Sequence, residues 1–389
     1  MVTKLELNKI RVREHLGIVT NDTSTTQFNF LVTPLKNRRV TSKEDYILLD
    51  HPVFGPNCPL IAQVSEVRSY EEVVGTTLSN KVGKIIATAD ILGYINLQGN
   101  IRPIRKLLTP PSPGCRIYMP YAEFLEDTFA RDLNGHPLKQ PIHLGTLESE
   151  ATTADENSKP LNVYIDAEDL TSKHTLITAM DGAGKTHTAT IIITEIANKT
   201  THHIVIIDPH GEYNNIRKHT TKPTEKITHK PDNTPKDPTQ TIRTNQITTL
   251  NTEHLTPKEK NQTLTQQLKT LWETRLQGTT PPFLLVVEDA EKLKNETLEA
   301  IAYEGTKHGI ALLLIAKHPT ELGGKILSQT STQIIGRTTD KDDIEYLKNM
   351  TLEKTPHLPK LKQGEWIVNG INTREPTEII TRKLITTDY

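Results

Sequence analysis

Apolar and polar residues alternate in short runs through the first third of the chain, then give way to long apolar runs. From residue 10 to about residue 120, FNFLV (28–32), YILLD (46–50), LIAQVSEV (60–67) and KIIATADILGYI (84–95) are separated by turn-forming residues. This spacing predicts a small all-β unit, a barrel that TPPSPG (109–114) brings to a close. In PYAEFLEDTFARD (120–132), Phe124, Leu125, Thr128 and Phe129 share one helical stripe, and the polar stretch ESEATTADENSKP (148–160) follows. A boundary is expected here, dividing a β domain with its connecting helix, 1–150, from a second domain, 151–389.

After residue 160, longer apolar runs alternate with helical periodicity, which predicts an α/β domain with a parallel sheet covered by helices on both faces. The candidate strands are 174–179, 203–208, 283–288, 311–316 and 332–336, and GEWIVNG and TEIITRKLI add two short ones. A helix near 256–275 carries Leu264, Leu268, Leu271 and Trp272 on one face. Residues 218–245 are rich in Thr, Lys, Pro and Asn and poor in large apolar residues, which predicts a flexible polar surface insertion.

Composition adds limits. A chain of 389 residues suits two domains, each with its own core. With 46 Lys plus Arg against 47 Asp plus Glu, the net charge of −1 neither predicts nor excludes a polyanionic partner. Cys58 and Cys115 are too few for a disulfide framework, and no signal-peptide core or run of about 18 apolar residues occurs. The expectation is a soluble cytoplasmic protein with no membrane partner.

The chemistry begins at HTLITAMDGAGKTHTATIIITEIA (174–197), where an apolar segment meets a helical one through Gly184-Lys185-Thr186. The turn resembles the phosphate-binding pattern G-x-x-x-x-G-K-[ST], with Ala179 in place of the first glycine. Candidate nucleotide-binding residues are Asp181, Gly182, Ala183, Gly184, Lys185, Thr186 and His187. Backbone N–H groups would face a β-phosphate, Lys185 would neutralise β/γ charge, and the Thr186 hydroxyl would ligate Mg2+. A methyl at a strand end is expected to be tolerated. FLLVVEDAEKL (283–293) is an apolar strand ending in Glu288 and Asp289, about a hundred residues after Lys185, a separation expected of a P-loop ATPase. In this class the first carboxylate holds Mg2+ and the second orients and deprotonates water, so Glu288 takes the metal role and Asp289 the base role. Asp289 is one methylene shorter than the usual base, which shortens its reach. His202, His203 and His210 invite a zinc reading, but neighbouring strand residues point to opposite faces and no ligand cluster joins them.

HHIVIIDPHGEY (202–213) narrows the class, because DPHGEY after the second strand resembles the HerA branch of the HerA and FtsK superfamily. The likeness to the archaeal type of HerA extends over nearly the whole chain. GIV (17–19), TTQFNFLV (25–32), DYILLDHP (45–52) and QVSEV (63–67) resemble strands of its HAS-barrel. PPSPGCRIYMPYAEFLEDTF and HLGTL (143–147) resemble the connection to the core. Residues 309–350 are similar to the sensor strand and the segment after it, and QGEWIVNG (363–370) to the terminal strand. The resemblance implies a RecA-like P-loop NTPase core that uses ATP and Mg2+, assembled as a homo-hexamer with double-stranded DNA in its pore. It further implies a NurA-type nuclease partner and a role in DNA end processing and repair.

Departures accompany it. Tyr303-Glu304-Gly305-Thr306-Lys307 stands where the family has an R-E-G-R-K-type segment, so both arginines are replaced and Lys307 is the candidate substitute. Lys317 occupies the sensor position where Gln is usual, and Arg337 stands where the family also has Arg. The candidate catalytic set is therefore Lys185, Glu288, Asp289, Lys307, Lys317 and Arg337. Two functional readings follow: an ATP-driven DNA translocase, or a slow or non-hydrolysing ATP-binding scaffold that assembles with an active motor or nuclease. A third, an export motor, carries the expectation of a membrane anchor or a different N-terminal domain.

Overall fold

A computed structural model describes residues 12–33, 41–73, 81–147, 161–230, 237–370 and 376–384. The chain divides into two compact units, one running to Leu138 and taking in Leu147–Asn162, the other comprising Lys139–Thr146 and Val163 onward. The boundary expected at residues 150/151 lies outside the described residues.

The first unit contains a closed barrel. Its strands are β1 (Val12–Thr23), β2 (Gln27–Val32), β3 (Tyr46–His51), β4 (Gly55–Val73), β5 (Lys81–Tyr94) and β6 (Arg116–Pro120), in the order β1-β2-β5-β4-β3-β6. Period-two patterning builds it: in β2, Phe28, Phe30 and Val32 are buried while Gln27 and Leu31 face outward. Phe28 and Phe30 pack with Leu16, Ile47, Leu60 and Ile117 in one core. Closure comes from β6, which pairs with β1 at Ile117↔Gly17 and with β3 at Tyr118↔Leu48, so the barrel has no open edge. The sequence reading ended the barrel at TPPSPG and assigned RIYMP to the connection. The strand is short and buries only Ile117 and Pro120, too little alternation to register as a strand. Helix α1 (Ala122–Phe129) follows and buries Phe124, Leu125 and Thr128, three members of the predicted stripe.

The larger sheet has eleven strands among the described residues, in the order β11-β12-β10-β13-β14-β9-β15-β16-β17-β7-β8. At its centre lie β9 (His174–Thr178), β10 (His203–Asp208), β13 (Phe283–Val287), β14 (Ile310–Ala316) and β15 (Thr330–Ile335), the five candidate strands. All adjacent pairs among these five are parallel. Every residue of β9, β13 and β14 is buried, as expected of parallel strands covered on both faces. The sheet is mixed, because β16 (Glu365–Asn369) runs antiparallel to β15, and β17 (Thr377–Thr381) antiparallel to β16. Beyond them lie β7 (Pro141–Leu147) and β8 (Asn162–Asp166).

The segment 218–245 differs from its reading as a flexible polar insertion. It contributes β11 (Thr224–Thr228), a parallel edge strand on β12 (Ile247–Asn251), and helix α3 (Thr239–Thr244), numbered after helix α2 (Lys185–Lys199). Ile227 and Ile242 are buried in the core with Leu250, Leu264 and Leu268. Backbone ladder bonds and one buried isoleucine in each element order this stretch, and neither registers in a count of large apolar residues. Residues 231–236 lie outside the described residues. Helix α4 (Pro257–Leu276) returns the chain to the sheet. It opens with a capping box between Thr256 and Glu259 and Pro257 in its first turn, and it buries Leu264, Leu268 and Leu271.

Candidate functional site

The site lies at the carboxyl ends of the central parallel strands. After β9 the chain turns through Ala179–Gly184 into α2, with Gly182 at φ 79° and Gly184 at φ 105°. Gly184 caps the helix in the left-handed region, which a side chain would strain. Helix α2 is rich in Thr and Ile, poor intrinsic helix formers, and is held by burial of Thr188 through Thr194, Ile196 and Ala197. Its N-terminal N–H groups therefore sit at the edge of a rigid core and form an anion-attracting end.

Ala179 is fully buried, and Gly336 at the end of β15 makes room for it. A Cβ built on Gly336 would lie 2.9 Å from the Ala179 Cβ and 2.7 Å from the Trp366 ring. The methyl lost from one strand end is present on the other. Met180 N–H donates to the Arg337 carbonyl (2.8 Å) and Gly336 N–H to the Thr178 carbonyl (2.8 Å), which seats the loop against β15.

Lys185 Nζ donates to the carbonyls of Ala179 (2.9 Å) and Met180 (3.4 Å) and lies 3.4 Å from Asp181 Oδ1. The other Asp181 oxygen takes Lys317 Nζ at 2.7 Å, and this bond holds the Asp181 carboxyl below the usual range and raises the Lys317 ammonium. The Thr186 hydroxyl donates to the Glu212 carboxylate.

The loop after β10 is folded around one buried carboxylate. Asp208 Oδ1 accepts N–H groups from His210 (3.3 Å), Gly211 (2.7 Å) and Glu212 (3.0 Å), and Oδ2 that of Tyr213 (3.2 Å). DPHGEY thus becomes a compact turn that carries Glu212 to the phosphate loop and Tyr213 to β13. The buried Tyr213 hydroxyl donates to Glu288 Oε2 at 2.6 Å. Burial raises the Glu288 carboxyl to about 8; the Tyr213 bond works against that rise, and the charges of Glu212 and Asp289 add to it. Burial and the neighbouring Glu288 charge push the Tyr213 phenol well upward.

Asp289 adopts a left-handed conformation, φ 51° and ψ 47°, which Asp tolerates better than most residues. Burial would raise its carboxyl, but Lys292 Nζ (2.6 Å) and His210 Nε2 (2.8 Å) outweigh that and hold it low.

The structure thus brings Asp181, Lys185, Thr186, Glu288, Asp289 and Lys317 to the carboxyl ends of the central strands. His187 lies alongside, its ring 3.1 Å from the Arg382 carbonyl, and Arg337 is exposed at the end of β15. Lys307 is elsewhere. It precedes β14, whose carboxyl end at Ala316 pairs with Thr178 just before the phosphate loop. Seven residues of β14 separate the two ends, about 20 Å at strand rise. Sequence reasoning passed over Glu212, Tyr213 and Lys292, and weighed His210 only as a zinc ligand. DPHGEY served there as a family signature, and only the turn around Asp208 shows which side chains it delivers.

A phosphate loop after one central strand of a parallel sheet, with a carboxylate pair at the end of another, defines a RecA-like P-loop NTPase core. Residues 142–373, more than half of the chain, match the family model described as Helicase HerA, central domain, and the chain belongs to the HerA family. It is 33% identical over 132 residues to the probable helicase MJ1565 of Methanocaldococcus jannaschii, covering 32% of this chain and 22% of that protein. It is 27% identical over 220 residues to the DNA double-strand break repair helicase HerA of Pyrococcus furiosus, covering 53% of this chain and 36% of that protein. The chain therefore spans about a fifth to about a third of the length of these curated relatives. The genome packaging NTPase B204 of Sulfolobus turreted icosahedral virus 2, solved with ATP-gammaS, is similar at 11% identity and a TM-score of 0.41, over 55% of this chain and 98% of its own. No helix among the described residues is long and apolar enough to cross a membrane.

Proposed function

We propose that the chain binds ATP with Mg2+ at this site and hydrolyses it to move double-stranded DNA through a homo-hexameric ring, in DNA end processing with a NurA-type nuclease. The observation that carries the reading is the convergence of Lys185, Thr186, Glu288 and Asp289, which follow two separate strands, at the carboxyl ends of the central strands. The residues suit a divalent cation. Glu288 is a buried carboxylate raised toward protonation, so a cation beside it would supply the missing charge, and the Thr186 hydroxyl is the second expected ligand. Mg2+ held by Thr186 and Glu288 would neutralise charge on the β- and γ-phosphate oxygens.

The loop N–H groups and Lys185 bind and orient the phosphates. Asp289, kept ionised by Lys292 and His210, accepts a proton from the attacking water. Lys317 supplies positive charge where the sensor usually offers an amide. DNA would be held mainly through its phosphates, so binding is sequence-independent and weakens with salt. Family membership supports a helicase of the HerA type.

Two observations favour a second reading, a slow or non-hydrolysing scaffold subunit. Asp289 has a short side chain already engaged by two partners, and Lys307 lies about 20 Å from the phosphate loop. Steady-state ATP hydrolysis by the full chain, with and without linear duplex DNA and beside Lys185→Ala, separates the two. DNA-stimulated turnover abolished by the substitution is the expected result. ATP binding without turnover would make the chain a scaffold.

A further inference from the structure

Phosphate binding accounts for Lys185 and Lys317 but not for the carboxylate between them. Asp181 is on the phosphate loop, where N–H groups and a helix N-terminus favour an anionic ligand and a fixed negative charge opposes one. Its two oxygens are divided between two elements: Oδ2 lies 2.7 Å from Lys317 Nζ at the end of β14, and Oδ1 3.4 Å from Lys185 Nζ at the start of α2. Lys317 is fixed from a second side, its backbone N–H donating to Glu291 Oε1 at 3.0 Å. Glu291 lies two residues after Asp289, so the Lys317 segment joins the phosphate loop to the strand end that carries the carboxylate pair.

We propose that the Asp181 carboxylate is a stand-in for a terminal phosphate. It neutralises Lys185 and Lys317 in the nucleotide-free protein and is displaced from Lys317 by a nucleoside triphosphate, so that Lys317 provides a preference for triphosphate over diphosphate and Asp181 holds that preference in check. This rests on the nucleotide-binding reading above. The geometry suits a latch that opens. The Asp181 side chain is 74% exposed and that of Lys317 40%, so water screens the pair and takes over both groups when it parts. Lys185 is only 10% exposed and keeps two carbonyl partners, so it stays in place while Lys317 is released. A diphosphate would leave the pair intact. A triphosphate exchanges one carboxylate for a more highly charged group at the same lysine.

The test titrates the full chain, in Mg2+, with N-methylanthraniloyl-ATP and N-methylanthraniloyl-ADP by fluorescence. Asp181→Asn should tighten triphosphate binding about two- to fivefold, the range set by an exposed ion pair, and diphosphate binding by less. Lys317→Ala should reduce the triphosphate preference, and adding Asp181→Asn to it should give a smaller gain than in the native background. Weaker triphosphate binding by Asp181→Asn, or an equal gain in both backgrounds, would overturn the inference while leaving nucleotide binding intact. Failure of the native chain to bind either nucleotide would overturn the nucleotide reading and the latch together.

Discussion

The replacement of the first loop glycine by Ala179 is compensated at Gly336, and the compensation can be measured. A Cβ at position 336 would lie 2.7 Å from Trp366 Cζ3, 2.9 Å from Trp366 Cε3 and 2.9 Å from Ala179 Cβ. Carbon atoms prefer about 3.5–4.0 Å, so Gly336→Ala creates three contacts that are each short by roughly 1 Å. Neither neighbour yields easily: Trp366 is fully buried, and Ala179 is buried at a strand end bonded to Ala316. Overpacking of this kind costs about 1–3 kcal/mol. Ala179→Gly alone should cost about 0.5–1 kcal/mol in backbone entropy. In the double variant one of the three short contacts disappears, so its cost should fall below the sum of the singles by at least about 0.5 kcal/mol.

Tryptophan fluorescence during urea unfolding is a suitable assay, because the only two tryptophans, Trp272 and Trp366, belong to the same unit as the site. Gly336→Ala should also weaken nucleotide binding, since Gly336 and Arg337 hold Thr178 and Met180 on either side of Ala179. A Gly336→Ala variant as stable as the native chain, or strictly additive costs, would refute the compensation.

What the sequence revealed follows from how each feature is encoded. The five central strands were legible because strands buried on both faces must be continuous apolar runs, as in FLLVV and IALLLIA. The phosphate loop was legible because backbone approach to an anion demands glycine and lysine at fixed spacing. Strand β12 was not, since ITTLN buries Thr248, Thr249 and Asn251 alongside Ile247 and Leu250, and buried threonines look like a loop in a hydropathy pattern. The contacts Tyr213–Glu288 and His210–Asp289 join residues 75 and 79 positions apart, and no local periodicity carries such pairings. The partnership of Ala179 with Gly336 is of the same kind: Ala179 stood out as a departure from the loop pattern, but nothing marked Gly336 as its partner until β9 and β15 were side by side.

Two further outcomes are expected. Because the Glu288 carboxyl is raised from 4.5 to about 8, the folded nucleotide-free chain keeps a proton that the unfolded chain has lost between those values. Stability should therefore fall as pH rises through this window, by on the order of 4 kcal/mol. Glu288→Gln, which retains an acceptor for Tyr213, should lack that fall; urea unfolding curves at pH 5 and pH 8 that shift equally in both proteins would refute it. Lys307 sets the other expectation. The paired, parallel strands β9 and β14 fix it at the opposite end of the sheet, farther from the phosphate loop than a four-carbon side chain spans. It can act on a bound phosphate only from a second copy, as the proposed ring requires. Lys307→Ala should then lower ATP turnover by at least about tenfold, short of the 10³- to 10⁵-fold effect of an arginine finger, which adds a planar fork to its charge. Mixing Lys307→Ala chains with inactive Lys185→Ala chains should restore part of the turnover, because some interfaces would then join an intact phosphate loop to an intact Lys307. If both variants assemble with the native chain yet the mixture stays inactive, Lys307 does not act across an interface, and the charge replacing the lost arginines must come from another residue.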